Sequence, residues 1–373
     1  MIILHNNRFK SNNFTNLNEK VQKAGKRLTL DSDIILSDGD ELDYITVDRN
    51  NIVIDGNNHS IDANGKAGIF KINANNVTLK NIVFKNANAL DGSVIVNQTG
   101  FLNIVGCKFI GNNAEFEASA ILNLANLKIE NSIFENNSAK LNGGAINNKG
   151  ILKAFDCRFS RNSSQKLGGA IINWKKTFLK DCTFEVNSAK MDGGAINNQK
   201  GLFKVLGCEF TENTSGVSGA ALINLDEFDV YNCRFDKNAA DEFGGAIYNS
   251  SELRVFASGF NENRSFDGGA INNQKGAVGL VEGCEFNGNS ANCEGGAINN
   301  YGTLKIKNSK LAKNKASHRG GVLRTHKESY LWIGESNEFF DNEASNLSAY
   351  APAYVVNYCD LGSYFYNYVC FPI

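Results

Sequence analysis

Proline is almost missing from this chain. Its 2 occurrences in 373 residues are at odds with a disordered chain and natural in a regular strand array, where each proline would delete a ladder hydrogen bond. Long apolar runs are missing too. No stretch approaches the roughly 18 residues that a membrane helix needs, so no transmembrane segment is expected. Nor is there a block of one charge: 38 Lys and Arg stand against 39 Asp and Glu, a net charge of -1. Without a basic stripe, nucleic acid and anionic membrane are not expected partners. The start, MIILHNNRFK, lacks the charged, apolar and small-residue segments of a signal peptide. Either a signal has been removed or the protein stays inside. The cysteine spacings match no zinc pattern, and no metal or cofactor is expected.

What the chain has instead is a repeat. FEVNSAKMDGGAINN begins at Phe184. Edited copies begin at Phe134, Phe159, Phe235 and Phe286. Such a period means stacked units, none of which buries its apolar face alone. Phe84, Phe109, Phe134, Phe159, Phe184, Phe210, Phe235, Phe260, Phe286, Leu311 and Phe339 anchor the register, at intervals of 25 or 26 residues until a last interval of 28. Alternating apolar residues before each anchor, such as Leu102 with Ile104 and Leu127 with Ile129, mark a strand with one buried face.

This pattern predicts an all-β fold, a single-stranded right-handed parallel β-helix. Each coil of about 25 residues would hold three short strands and rise about 4.8 Å. Roughly a dozen coils would make a rod on the order of 60 Å long. Asn112, Asn137, Asn162, Asn187, Asn213, Asn238, Asn263, Asn289, Asn314 and Asn342 would stack into an inward ladder bonded amide to amide. The glycine pairs would sit where a bend needs unusual dihedrals or where no side chain fits. Residues 1–44 read as an N-terminal cap with a short helix capped by Thr15 or Asn16, residues 45–345 as the repeats, and residues 346–373 as a C-terminal cap rich in Tyr, with Cys359 and Cys370. Asp38, Asp40, Glu41 and Asp43 read as a solvated linker.

The GGAI and FxxN elements, with NIVIDGNNHSID at Asn51–Asp62, resemble the right-handed parallel β-helix of the pectin-lyase-like superfamily. More narrowly, they are similar to the repeats of chlamydial polymorphic membrane proteins and of adhesin-like surface proteins of methanogenic archaea. The resemblance covers about residues 45–345. It implies the fold and an extracellular or cell-surface setting. It leaves function open, because β-helices serve enzymes, adhesins and viral fibres alike. A polymorphic membrane protein also carries a C-terminal barrel, for which the residues after 345 are too few.

Candidate chemistry is sparse. Cys107, Cys157, Cys182, Cys208, Cys233 and Cys284 share one inward slot with Ser132, Ser258 and Ser309, so free buried thiols are expected. Asp156 and Asp181 occupy equivalent places, with Arg158 and Lys180 near by. They read either as solvated surface charge or as the paired carboxylates of a polysaccharide lyase or hydrolase. Phe116, Leu141, Leu167, Met191, Val217, Phe243 and Phe266 form a stripe before the glycine pairs, either core lining or an exposed adhesive ridge. Trp174 and Tyr301 follow a second Asn ladder and are candidate anchors for sugar or protein. Of the histidines His5, His59, His318 and His326, the last two fall near Arg319 and Arg324.

With no converging catalytic set, the leading expectation is a non-enzymatic, adhesin-like surface module that presents a rigid face to a glycan or protein. A polysaccharide lyase or hydrolase is the alternative, and a phage or viral fibre segment a second one. Oligomeric state stays open.

Overall fold

The computed structural model describes residues 13–40 and 43–344, together with the backbone of Val369–Cys370. One coil shows how the chain is wound. Phe101–Val105 forms a long strand, Lys108–Ile110 a second, Asn113–Ala114 a two-residue third and Ile121–Asn123 a fourth. Each pairs in parallel with its counterparts in the coils before and after. The result is a parallel β-solenoid whose long-strand, Phe-bearing, two-residue and Ile-x-Asn sheets hold 13, 13, 11 and 13 strands. The two-residue ladder is one strand per coil more than the sequence predicts. It forms because the residues after the ladder Asn stay extended and in register, as at Ser138↔Ser163.

The inside is built of ladders. Consecutive Phe rings from Phe109 to Phe286 stack at centroid distances such as 4.5 Å and 4.7 Å. Beside them lie the buried cysteines, all free. Where Ser132, Ser258 or Ser309 takes the slot, its hydroxyl accepts the N–H of the preceding coil at 3.1 Å. That bond explains why Ser replaces Cys here. Each inward Asn donates Nδ2–H to the Oδ1 of the next, at 2.8 Å for Asn112 to Asn137 and 3.0 Å for Asn162 to Asn187. The same Oδ1 accepts a backbone N–H, so the ladder residues from Asn112 to Asn314 have their turn amides satisfied by the next coil. Asn97, Asn123, Asn148 and Asn173 begin a second buried ladder at the end of the Ile-x-Asn strands.

The glycine pairs have two separate jobs. Gly143 adopts a φ of +63°, and a Cβ there would stand 2.9 Å from the Ile172 side chain of the next coil. Gly144 has no such φ, but its Cβ would stand 2.0 Å from the carbonyl oxygen of Gly169. The first glycine turns the chain, and the second lets the next coil approach.

At the N-terminus, helix Phe14–Lys23 buries Phe14, Leu17 and Val21 against the first coil. Its N-cap is Asn13, whose side chain accepts the Asn16 N–H at 3.0 Å, not Thr15 or Asn16 as expected. Thr15 is instead tied by its N–H to Asp40 at 2.9 Å, and Asp40 also accepts from Ser37. That carboxylate of the acidic linker therefore anchors the helix. Arg27–Thr29 already pairs with Val53–Asp55. Of the Tyr-rich tail, only the backbone of Val369–Cys370 is described, paired with Leu323–Arg324. Cys359 and the tail tyrosines lie outside the described residues, as does His5.

Candidate functional site

The middle residue of each Ile-x-Asn strand points away from the core, yet most of these residues are buried. In register they run Asn147, Ile172, Asn197, Ile223, Tyr248, Asn272, Asn299, Arg324. Asn147, Asn197, Asn272 and Asn299 have no exposed surface, and Arg324 retains 6%. They form the floor of a furrow along the rod. One wall precedes the glycine pairs and carries Glu117, Asn142, Leu167, Asp192, Phe243, Asp267 and Glu294. Its register is visible in the bridges Leu167↔Asp192 and Phe243↔Asp267. The other wall follows the second Asn ladder and carries Lys149, Trp174, Gln199, Gln274, Tyr301 and His326.

Side chains close the furrow. Asn147 donates to Glu117 at 2.6 Å, Gln199 to Asn197 at 2.9 Å, and Lys149 reaches across to Glu117 at 3.1 Å. Asn147, Asn197 and Asn299 each keep one amide atom unpaired, and Asn272 has a hydrogen-bond partner at neither its Oδ1 nor its Nδ2. A buried amide with both ends unpaired costs on the order of 1–3 kcal/mol per group. Asn272 carries that cost at both ends of its amide, which makes it a candidate contact for a ligand.

Charge gathers at the C-terminal end of the furrow. The His326 ring stacks on Tyr301 with centroids 3.7 Å apart, and its Nε2 lies 2.9 Å from Asn299 Oδ1. Glu294 faces both Arg324 and His326 at 3.4 Å. Burial, together with Arg324 and Arg319, pushes His326 down to about 4, outweighing the attraction of Glu294. The imidazole is therefore neutral at neutral pH. Burial raises Asp267 above the usual carboxylate range, with nearby Glu294 adding to it, and raises Tyr301 as well. A neutral imidazole, a phenol, a buried carboxyl and a buried guanidinium thus share one end of the furrow. This set can bind hydroxyls and carboxylates and can move a proton. Among the described residues, no cluster of three metal-ligating side chains forms.

The candidates singled out from the sequence divide. Trp174 and Tyr301 stand on one wall of the furrow and Phe243 on the other. Trp174 is 38% exposed. Phe116 is not on the furrow wall. The apolar stripe, predicted as one column, splits in two. Phe116, Leu141, Met191, Val217 and Phe266 stand two places before the turn, whereas Leu167 and Phe243 stand one place before it. The core-lining reading is also corrected: Phe116, Met191 and Phe266 are 47%, 43% and 47% exposed.

Asp156 and Asp181 are exposed turn residues at φ 52° and 53°. Asn131, Asn232 and Gly207 take the same conformation in other coils, so the residue type there follows the left-handed turn. Asp181 pairs with Lys180 at 3.6 Å and Arg158 with Glu185 at 2.9 Å. The structure brings Asp156, Asp181 and Arg158 into no common site with the furrow. Asn272, Asn299 and Glu294 escaped the sequence reading. Their signal is the recurring Asn where other coils place Ile between Ile and ladder Asn.

The Chlamydia polymorphic membrane protein repeat matches at residues 131–149, 232–250 and 283–301. Each match runs from the left-handed turn through the Phe and Asn ladders and the glycine pair to the furrow. No curated protein matches the chain. Among solved structures, a mannuronic acid specific family 6 polysaccharide lyase from the human gut microbiota is similar, at TM-score 0.51 and 14% identity, over 91% of this chain and 87% of that one. A PL6 alginate lyase in complex with a trisaccharide is similar at TM-score 0.50 and 10% identity, over 89% of this chain and 82% of that one. At these identities the likeness shows the shared β-helix fold alone. Among the described residues, no helix is long and apolar enough to cross a membrane.

Proposed function

We propose that this chain is a surface-displayed recognition rod that holds an extended glycan along the furrow of the Ile-x-Asn sheet. The unpartnered amide of Asn272 carries this reading. An amide both donates and accepts, as a sugar hydroxyl does; Tyr301 supplies a ring in the next coil and Trp174 another four coils back along the same wall. An extended peptide is disfavoured, because strand addition needs a free sheet edge and this backbone is bonded coil to coil. The cross-furrow bonds join side chains only, so ligand hydroxyls replace them through rotamer changes. The polymorphic membrane protein repeat supports an adhesin-like role at the cell surface. A glycan and polysaccharide array tests the proposal. Asn272→Leu should lower binding at least tenfold while melting at the same temperature or higher, because an unpaired buried amide is removed. Undiminished binding by this variant would reject the furrow.

A second reading, a polysaccharide lyase, is favoured by the Tyr301–His326–Glu294–Arg324 cluster and by the fold shared with the two lyases. A new unsaturated end that appears with the wild type and vanishes in His326→Ala would establish it. Binding without new ends would leave the rod a recognition module.

The same histidine predicts a pH dependence. Its pKa is lowered on folding, so its contribution to stability is present above pH 6.5 and lost as pH falls toward about 4. Between those values the melting temperature should fall less steeply in His326→Gln than in the wild type. Parallel curves would show that His326 is not buried in its neutral form.

A further inference from the structure

On a different face of the rod, the outer surface of the long-strand sheet carries a second feature. Phe101, Ile151 and Phe155 line a hollow of about 440 Å³ with Lys128, Lys153 and Lys176 at its rim. Phe101 is 38% exposed, an unusual position for a phenyl ring on an open sheet. Phe178 packs edge-on against Phe155 at 5.8 Å, and Lys204, next in the same column, lies 4.4 Å from the Tyr231 ring.

The charges on this face do not cancel. Lys128 pairs with Glu130 at 2.8 Å and Lys180 with Asp181 at 3.6 Å. Among the described residues, no acidic side chain lies within ion-pair distance of Lys153, Lys176 or Lys204. Like charges on neighbouring parallel strands repel one another. A chain of net charge -1 has nevertheless collected Lys153, Lys176 and Lys204 on successive coils, beside exposed Phe101 and half-buried Phe155, Phe178 and Tyr231.

We infer that this face is a second binding site, for an acidic polysaccharide laid along the rod axis. The inference is independent of the furrow. Coils about 4.8 Å apart offer a cation at nearly every step to a polymer with repeating carboxylate or sulfate groups. Sugar rings present C–H faces that cover Phe101 and Phe155. Phosphate polymers are the poorer match, because the patch has lysine point charges and no arginine fork.

The test uses the full chain with three polymers on one backbone: dextran sulfate, carboxymethyl dextran and plain dextran. Calorimetry should show binding to a charged dextran, weakening as salt rises, and none to plain dextran. Preference between the two charged polymers identifies the acidic group. The double variant Lys153→Glu with Lys176→Glu should lose at least tenfold in affinity, and Lys313→Glu, at an exposed turn after the Phe-bearing strand, should lose nothing. Three results would overturn the inference: equal binding of plain dextran, undiminished binding by the double variant, or displacement by oligo-dT at lower concentration than by dextran sulfate. A dimer in sedimentation that the double variant dissolves would assign the face to a second copy of the chain and overturn it too.

Discussion

Asn187→Leu should destabilise the rod by about 1–3 kcal/mol, with the loss read from the midpoint of urea unfolding. The side chain of Asn187 makes four bonds. Its Oδ1 accepts the Asn162 N–H and the Asn162 Nδ2–H, both at 3.0 Å. Its Nδ2 donates to Phe159 O at 2.9 Å and to Asn213 Oδ1 at 3.0 Å. Leucine has nearly the same volume, so little cavity opens. The cost lies in the Asn162 N–H, left without its acceptor in a place with no exposed surface. Asn187→Asp should also destabilise, since a carboxylate would face its own acceptors up and down the ladder. An unchanged midpoint in Asn187→Leu would mean that the ladder bonds do not hold the coils.

Phe184→Ala should cost about 3–5 kcal/mol, the range for a large ring removed from a packed core. The ring is fully buried and stacks on Phe159 at 4.7 Å and on Phe210 at 4.9 Å. Its loss removes two stacking contacts and leaves a void that rigid neighbouring coils cannot collapse. Phe184→Leu should cost much less, because Leu311 already fills this slot one coil beyond Phe286. In a solenoid each coil touches only its neighbours. Phe184→Ala should therefore split the unfolding into two transitions and speed hydrogen exchange on both sides of the lesion. A single sharp transition at the wild-type midpoint would contradict both the packing and the nearest-neighbour character.

Much of this architecture is legible in the residues because the fold converts period into position. Positions 25 or 26 apart in the chain stand one above the other, as Phe109, Phe134 and Phe159 do. Strand, Phe ladder, Asn ladder and cysteine slot thus follow from alternation and spacing alone. The Ser substitutions at positions 132, 258 and 309 also argued correctly that the slot holds no disulfide. Trp174 and Tyr301 are legible as outward candidates after the second ladder, whereas for Phe243, beside the glycine turn, the sequence leaves core lining and an exposed ridge both open. The stripe was misread because residues one and two places before the turn were pooled, although successive residues face different ways.

The solenoid, its inward residues and the register of its coils are already written in the residues, since in-register stacking needs only local strand preference repeated at one period. The candidate site, by contrast, is visible only once the coils are stacked. The furrow exists because two walls, from opposite ends of each Ile-x-Asn strand, rise above an outward row of side chains and bury it. Asn272 is polar, outward and unpartnered at once, and nothing in its own coil reveals that combination. Glu294 meets His326 and Arg324 only because the next coil brings them within 3.4 Å. Burial from that stacking, not residue type, makes the imidazole neutral and raises the Asp267 carboxyl.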